Sequence, residues 1–237
     1  MEEYLKISKE LENHNVIFQK FWDMGEPVWT DLIPTAAVNV HPGGYIEYLI
    51  NKQFWDKLNN YEKAFIVAHE ILHLLYLHPE RINRIEEVNP SIANVAADLI
   101  VNHSLITRVN FDVTKVKIAK DLIWSNVVFP DAKPPIDPLK HTLESLYDMI
   151  VKSKQTEKES TKGIKKIANV GSSRPSGKKI DYDKNSIDTP SDWVNDPKDI
   201  DKALEKVAEQ LSQQEQNELV EIAKHAGRGD GLSKFVV

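Results

Sequence analysis

Cysteine is absent from the 237 residues. That excludes disulfides, and it means any bound metal must be held by His, Asp or Glu. There is no basic surplus either: Lys and Arg number 30 against 36 Asp and Glu, giving a net charge of −6 and a pI near 5.8. A nucleic-acid binder carries its phosphate-facing charge as a cationic excess, so no nucleic-acid partner is expected. Long hydrophobic runs are missing. The most apolar stretch, AFIVAHEILHLLYL, is interrupted by ionisable residues and is too short to span a bilayer, so no membrane association is expected. The N-terminal MEEYLKISKELEN lacks the basic-then-apolar order of a secretory signal. The expectation is a soluble, cytoplasmic protein that stays in the compartment where it is made. No internal repeat is present.

What is there is 41% hydrophobic and 28% charged, enough to bury a core. Leu5, Leu11, Val16, Phe18, Phe21 and Trp22 give one apolar stripe that predicts a helix over residues 2–23, ended by Gly25 and Pro27. TAAVNV and YIEYLIN flank His41-Pro42-Gly43-Gly44, which predicts a β-hairpin over residues 35–51. Residues 53–58 read as a helical turn. Asn59 followed by Glu62 forms a capping box for the helix carrying FIVAHEILHLLYLH, where Pro79 marks the loss of regular hydrogen bonding. Asn89 caps the next helix, and Pro90 takes its first position, continuing to about residue 106. Residues 107–140 read as irregular, with a short helix from Thr142. Residues 151–192 turn to Lys, Ser, Gly and Asp and read as a flexible linker or long loop. Residues 193–237 return to helix, with Ile200, Leu204, Val207 and Leu211 on one face and a capping box at Ser212 and Glu215. The division is thus a domain over 1–150, the linker, and a C-terminal helical segment packing on or extending that domain. The class is α+β, mainly helical with a small β-hairpin or sheet.

HEILH at 69–73 carries the chemistry. Residues four apart on a helix differ by about 40° around the axis, so His69 and His73 share a face. Two imidazoles so placed can bind one tetrahedral Zn²⁺ at about 2.0–2.1 Å each. Glu70 stands beside them as the candidate catalytic base acting on a metal-activated water. Ionisable groups inside so apolar a run are costly to bury without a partner. A catalytic zinc needs a third protein ligand. Asp98, in VAADLIV, is the preferred one, because a carboxylate among such neighbours calls for a cation or strong donors. Its alternative role is a helix cap or an ion pair with Arg81 or Arg84. His78 is the alternative ligand, although the glycine and the register of HExxHxxGxxH are missing. His78 and Arg81 are also candidates for supporting the ligands, and Asn102, one turn beyond Asp98, is placed to hydrogen-bond it. His103 and His141 are not expected to be ligands.

With these residues in view, the HExxH helix resembles the zincin superfamily. HEILHLLYLHPER followed by NVAADLIVN resembles the metallopeptidase domain of unknown function that precedes von Willebrand factor A-like domains in bacterial and phage proteins. TAAVNV and TLESLYDMI resemble its flanking segments. The resemblance covers residues 5–150, with a weaker echo at 193–232. It implies a zincin-like fold, ligands His69, His73 and Asp98, and Glu70 as base. It further implies that the hairpin at 35–51 pairs with an extended peptide along the cleft. The chain departs from fuller members by ending soon after AKHAGRGDG and by lacking the DxSxS string of the A-like domain. The activity implied is a zinc metallopeptidase acting on a peptide or protein substrate. The alternative is a non-catalytic zincin-fold metal-binding module that holds a peptide or protein partner. Retention of Glu70 favours the enzyme, since only the base role requires a carboxylate there.

Overall fold

The computed structural model describes residues 2–156 and 196–224. Helices dominate, with one three-stranded sheet, so the class is α+β. The linker expected from residue 151 falls largely on 157–195, outside the described residues. Its first six positions instead complete a helix.

The single helix expected at 2–23 is two, α1 (Glu2–His14) and α2 (Val16–Met24). Asn15 breaks them: its backbone is extended, and its side chain accepts from Ile17 N–H at 2.8 Å, the bond of an N-cap. Gly25 and Pro27 do not open a loop. They lie in β1 (Gly25–Trp29), an edge strand paired in parallel with β3 (Tyr45–Ile50). Proline is tolerated there because one side of an edge strand needs no ladder donor. β2 (Ala36–His41) pairs antiparallel with β3 in the expected hairpin, with Ala36 opposite Ile50 and His41 opposite Tyr45. The sheet order is β1-β3-β2.

The short turn α3 (Lys52–Trp55) leads into α4 (Asn60–Leu75). Both halves of its capping box form: Asn59 Oδ1 accepts from Glu62 N–H at 3.0 Å, and Glu62 Oε2 accepts from Asn59 N–H at 3.1 Å. Glu62 is buried, and its other oxygen accepts from Lys117 N–H at 2.7 Å, so this carboxylate is satisfied and structural. α4 ends at Leu75, before Pro79, and Pro79 lies in the first turn of α5 (His78–Asn83) instead of closing the preceding helix. α6 (Pro90–Thr107) starts as expected, with Asn89 Oδ1 accepting from Ser91 and Ile92 N–H. Residues 108–142 hold short 3-10 turns and α7 (Ser125–Val128). α8 (Leu143–Thr156) is longer than the segment expected from Thr142.

Every residue of α4 from Glu62 to Leu72 is buried, and so are 12 of the 18 residues of α6. A helix apolar on all sides belongs inside. α4 packs against α1, α2, β2 and α6, and α6 packs against α8. Enclosing side chains such as Phe65, Ile71, Leu72, Leu99 and Val101 stabilises the fold by about 1.5–3 kcal/mol each. That gain offsets the cost of carrying ionisable groups on the same two helices. α9 (Pro197–Ala208) and α10 (Gln213–Lys224) lie on α2 and the hairpin. Ile200, Leu204, Val207 and Leu211 are buried, and Ser212 and Glu215 make the second capping box. No helix among the described residues is long and apolar enough to cross a membrane.

Candidate metal centre

α4 and α6 run side by side through the core, and their polar residues meet between them. The i, i+4 spacing sets His69 and His73 on the side of α4 that faces Asp98 of α6. His69 Nε2 lies 3.0 Å from His73 Nε2. Asp98 Oδ1 lies 3.5 Å from the first and 3.2 Å from the second. These three residues form the one group of metal-binding type among the described residues. Donors about 2.0–2.1 Å from a tetrahedral ion are about 3.3 Å from each other, so the triangle has the size such an ion requires. Asp98 is 1% exposed, and its Oδ2 has no partner among the described residues. Arg81 and Arg84, its alternative ion-pair partners, are engaged elsewhere, with Glu144 and Glu80. A buried carboxylate facing two imidazoles, with no ion pair to an arginine among the described residues, is a donor set suited to a cation.

The outer nitrogens of both histidines are occupied. Asn102 does not bond Asp98 as expected from its position one turn away. Its Oδ1 faces His69 Nδ1 at 3.1 Å, and its Nδ2 donates to the Ile123 carbonyl at 3.0 Å. With its amide so oriented, Asn102 accepts from His69 Nδ1–H and leaves the Nε2 lone pair turned toward Asp98. His73 Nδ1 meets His78 Nδ1 at 3.1 Å. His78 therefore lies behind His73 and not among the three converging donors. His103 is also apart, its Nδ1 donating to the Leu99 carbonyl at 2.8 Å. The His73 side chain, 19% exposed, is the most open of the three donors.

Glu70 is buried beside the triangle, and its side chain takes part in no hydrogen bond among the described residues. Burial pushes its carboxyl up to about 8, Asp98 adding to the shift and His69 opposing it. For His69, burial works against the charged ring, but Asp98, Glu70 and Asn102 together outweigh it and the net shift is upward. His73 shifts downward, because burial and the His69 charge exceed the pull of Asp98. The Tyr48 phenol, on the inward face of β3, is also enclosed. It is pushed upward by burial, with the negative charges of Asp23 and Glu70 contributing.

Sequence reasoning missed three features here. Ile123 supplies the carbonyl that holds Asn102, and nothing in an irregular segment signals which carbonyl will face inward. Tyr48 is a strand residue whose inward face follows from hairpin register, but its charged neighbours do not. The contact of His78 with His73 was hidden by the turn between α4 and α5. The bare i, i+4 pattern and the burial cost of Asp98 point to the three donors that the fold brings together.

The family described as "Putative metallopeptidase domain" matches residues 21–237 of the chain. That span runs from the last turn of α2 through every later element, a single stretch where the motif resemblance covered 5–150 with an echo at 193–232. No curated protein and no solved structure matches the chain.

Proposed function

The chain belongs to this family of metallopeptidase domains, and on that premise we propose that it hydrolyses peptide bonds, with zinc on His69, His73 and Asp98 and Glu70 as the general base. The observation that carries the reading is the triangle of two Nε2 atoms and one carboxylate oxygen with edges of 3.0, 3.2 and 3.5 Å. Two nitrogens and one oxygen at tetrahedral spacing, with no thiolate, are the donor set of a catalytic zinc. When bound, zinc supplies Lewis acidity that polarises the scissile carbonyl and acidifies the attacking water.

The rest of the chemistry falls to this chain's own groups. Glu70 takes the proton of the attacking water and passes it to the leaving amine. The enclosed carboxylate beside His69 is placed for both transfers. Asn102 holds the His69 ring so that Nε2 stays directed inward. β2 is an edge of the sheet and packs on α4, so the hairpin is suited to align an extended peptide by strand pairing, as in a zincin-like cleft.

Purified protein is expected to hold close to one zinc per chain. Glu70→Gln keeps the size of the side chain and removes its basicity. That variant is expected to keep the zinc and the fold while losing about a hundred- to ten-thousand-fold in cleavage rate. A peptide-library digest read by mass spectrometry, with a chelator control, measures it. Equal cutting by wild type and variant refutes the role of Glu70. A wild type that holds zinc and cuts nothing favours the non-catalytic binding module.

A further inference from the structure

His78 is 1% exposed, yet it lies outside the triangle of donors. Its Nδ1 is 3.1 Å from His73 Nδ1, on the edge of that ring turned away from His69 and Asp98. Its Nε2 is buried with no partner among the described residues. The two rings meet edge to face, their centroids 5.0 Å apart.

The chain reaches this arrangement through a backbone conformation that leucine disfavours. Leu77, between α4 and α5, is left-handed, with φ 50° and ψ 34°. The turn it makes starts α5 at His78, placing that ring behind His73. α5 is then held by Arg81, whose Nε and Nη2 donate to the two carboxylate oxygens of Glu144 on α8 at 2.9 and 2.7 Å. An apolar side chain would fill this enclosed position without stranding a ring nitrogen. A strained turn and an unpaired donor, both spent on one contact, point to a role for the contact itself.

We propose that His78 is a positioning residue of the metal centre: its Nδ1 accepts a hydrogen bond from His73 Nδ1–H and so holds His73 with its Nε2 lone pair directed at the metal. This rests on the reading of His69, His73 and Asp98 as ligands. With Nε2 of His73 committed to the centre, that ring carries its proton on Nδ1, and His78 Nδ1 is the acceptor it meets there among the described residues. The proton of His78 is then on Nε2, the stranded atom. A partner behind a ligating imidazole fixes its orientation and raises its donor strength. His69 has an amide oxygen in that place, and His73 has a second imidazole.

The test uses the full chain with zinc as the probe. Zinc affinity by chelator competition and the thermal midpoint of the metal-free protein are measured for wild type, His78→Leu and His78→Asn. Leucine fills the space without an acceptor, whereas the asparagine Oδ1 hangs on Cγ as Nδ1 does. His78→Leu is expected to lose about 10- to 100-fold in zinc affinity, with a metal-free midpoint equal to or above wild type. His78→Asn is expected to recover most of the affinity. A merely structural residue would move midpoint and affinity down together. Wild-type affinity in His78→Leu, or loss in His78→Asn as deep as in His78→Leu, overturns the proposal. Should His78→Leu fail to fold, His78→Gln replaces it; its acceptor sits one bond too far out, so it is expected to bind zinc more weakly than His78→Asn. Equal affinities of those two overturn the proposal. A wild type that binds no zinc overturns the metal reading as well, which separates the two failures.

Discussion

Asp98→Asn removes a charge and almost no volume at a core position, so it separates what the carboxylate does for the fold from what it does for a metal. In the folded protein one carboxylate oxygen faces two histidine nitrogens, and the other has no partner among the described residues. A stranded buried polar atom costs about 1–3 kcal/mol, and more when charged. The neutral amide relieves part of that cost, so the metal-free variant is expected to melt at or above the wild-type midpoint. One kcal/mol corresponds to about 2–4 °C in a chain of this size. Zinc reverses the order. At free zinc about 1,000 times the wild-type Kd, binding stabilises the wild type by about 4.1 kcal/mol. A residue supporting a ligand is typically worth about 10- to 100-fold in affinity, and Asp98 is read as a ligand, so 100-fold is a lower bound for its loss. The variant then stands at about 10 times its Kd, and zinc contributes about 1.4 kcal/mol. The difference, about 2.7 kcal/mol, is about 5–11 °C in the zinc-induced shift. Calorimetry of both proteins, in chelator and in buffered zinc, reads both quantities. An equal zinc-induced shift in the two would refute Asp98 as a ligand. A steep fall of the metal-free midpoint would show that the carboxylate serves the fold.

Two further predictions concern the frame around the centre. Arg81 holds the Glu144 carboxyl down at about 2, against an ordinary value of 4.5. A depressed carboxyl contributes stability above its unfolded pKa and loses it as pH falls, so this contribution is complete above about pH 4.5 and fades toward pH 2. Glu144 is half exposed, which limits the pair to about 1 kcal/mol or less; denaturant titrations should show Glu144→Gln less acid-sensitive than wild type across that window, and an unchanged slope would refute the pairing. At the hairpin tip both glycines have positive φ, but a Cβ on Gly44 would meet the Ala203 backbone nitrogen at 2.6 Å, whereas one on Gly43 meets nothing within 4 Å. Gly44→Ala is therefore expected to cost about 1–3 kcal/mol more than Gly43→Ala and to expose α9 to limited proteolysis; equal behaviour of the two would refute the seating of α9 on the hairpin.

The parts of this protein that could be read from sequence are those fixed by contacts a few residues apart. The capping pairs Asn59–Glu62 and Ser212–Glu215, the Asn89-Pro90 helix start and the Gly-Gly hairpin are each local, and each forms as expected. β1 was not legible because its partner, β3, lies about 20 residues away, and the composition of Gly25-Glu26-Pro27 argues locally for a turn. The break at Asn15 was hidden by an apolar stripe that continues on both sides of it, although Asn before an apolar run is itself a cap signal.

The same distinction runs through the candidate centre. Helical period places His69 beside His73, and the burial cost of Asp98 calls for a partner, so these three can be put forward as candidate ligands, with His78 as the alternative third, before any fold is known. Which nitrogen faces which partner depends on how α4 packs against α6. That packing gives the Asn102 amide to His69 instead of to Asp98. The contact behind His73 depends on a left-handed leucine, a conformation no leucine announces. An i, i+4 pair of histidines can in principle present either ring nitrogen inward. Nε2 of both rings faces Asp98, and the residues at the opposite nitrogens arrive from α6 and from the α4–α5 turn. The helix period thus brings the two rings to one face, while the packing of neighbouring elements sets which nitrogen of each ring faces Asp98.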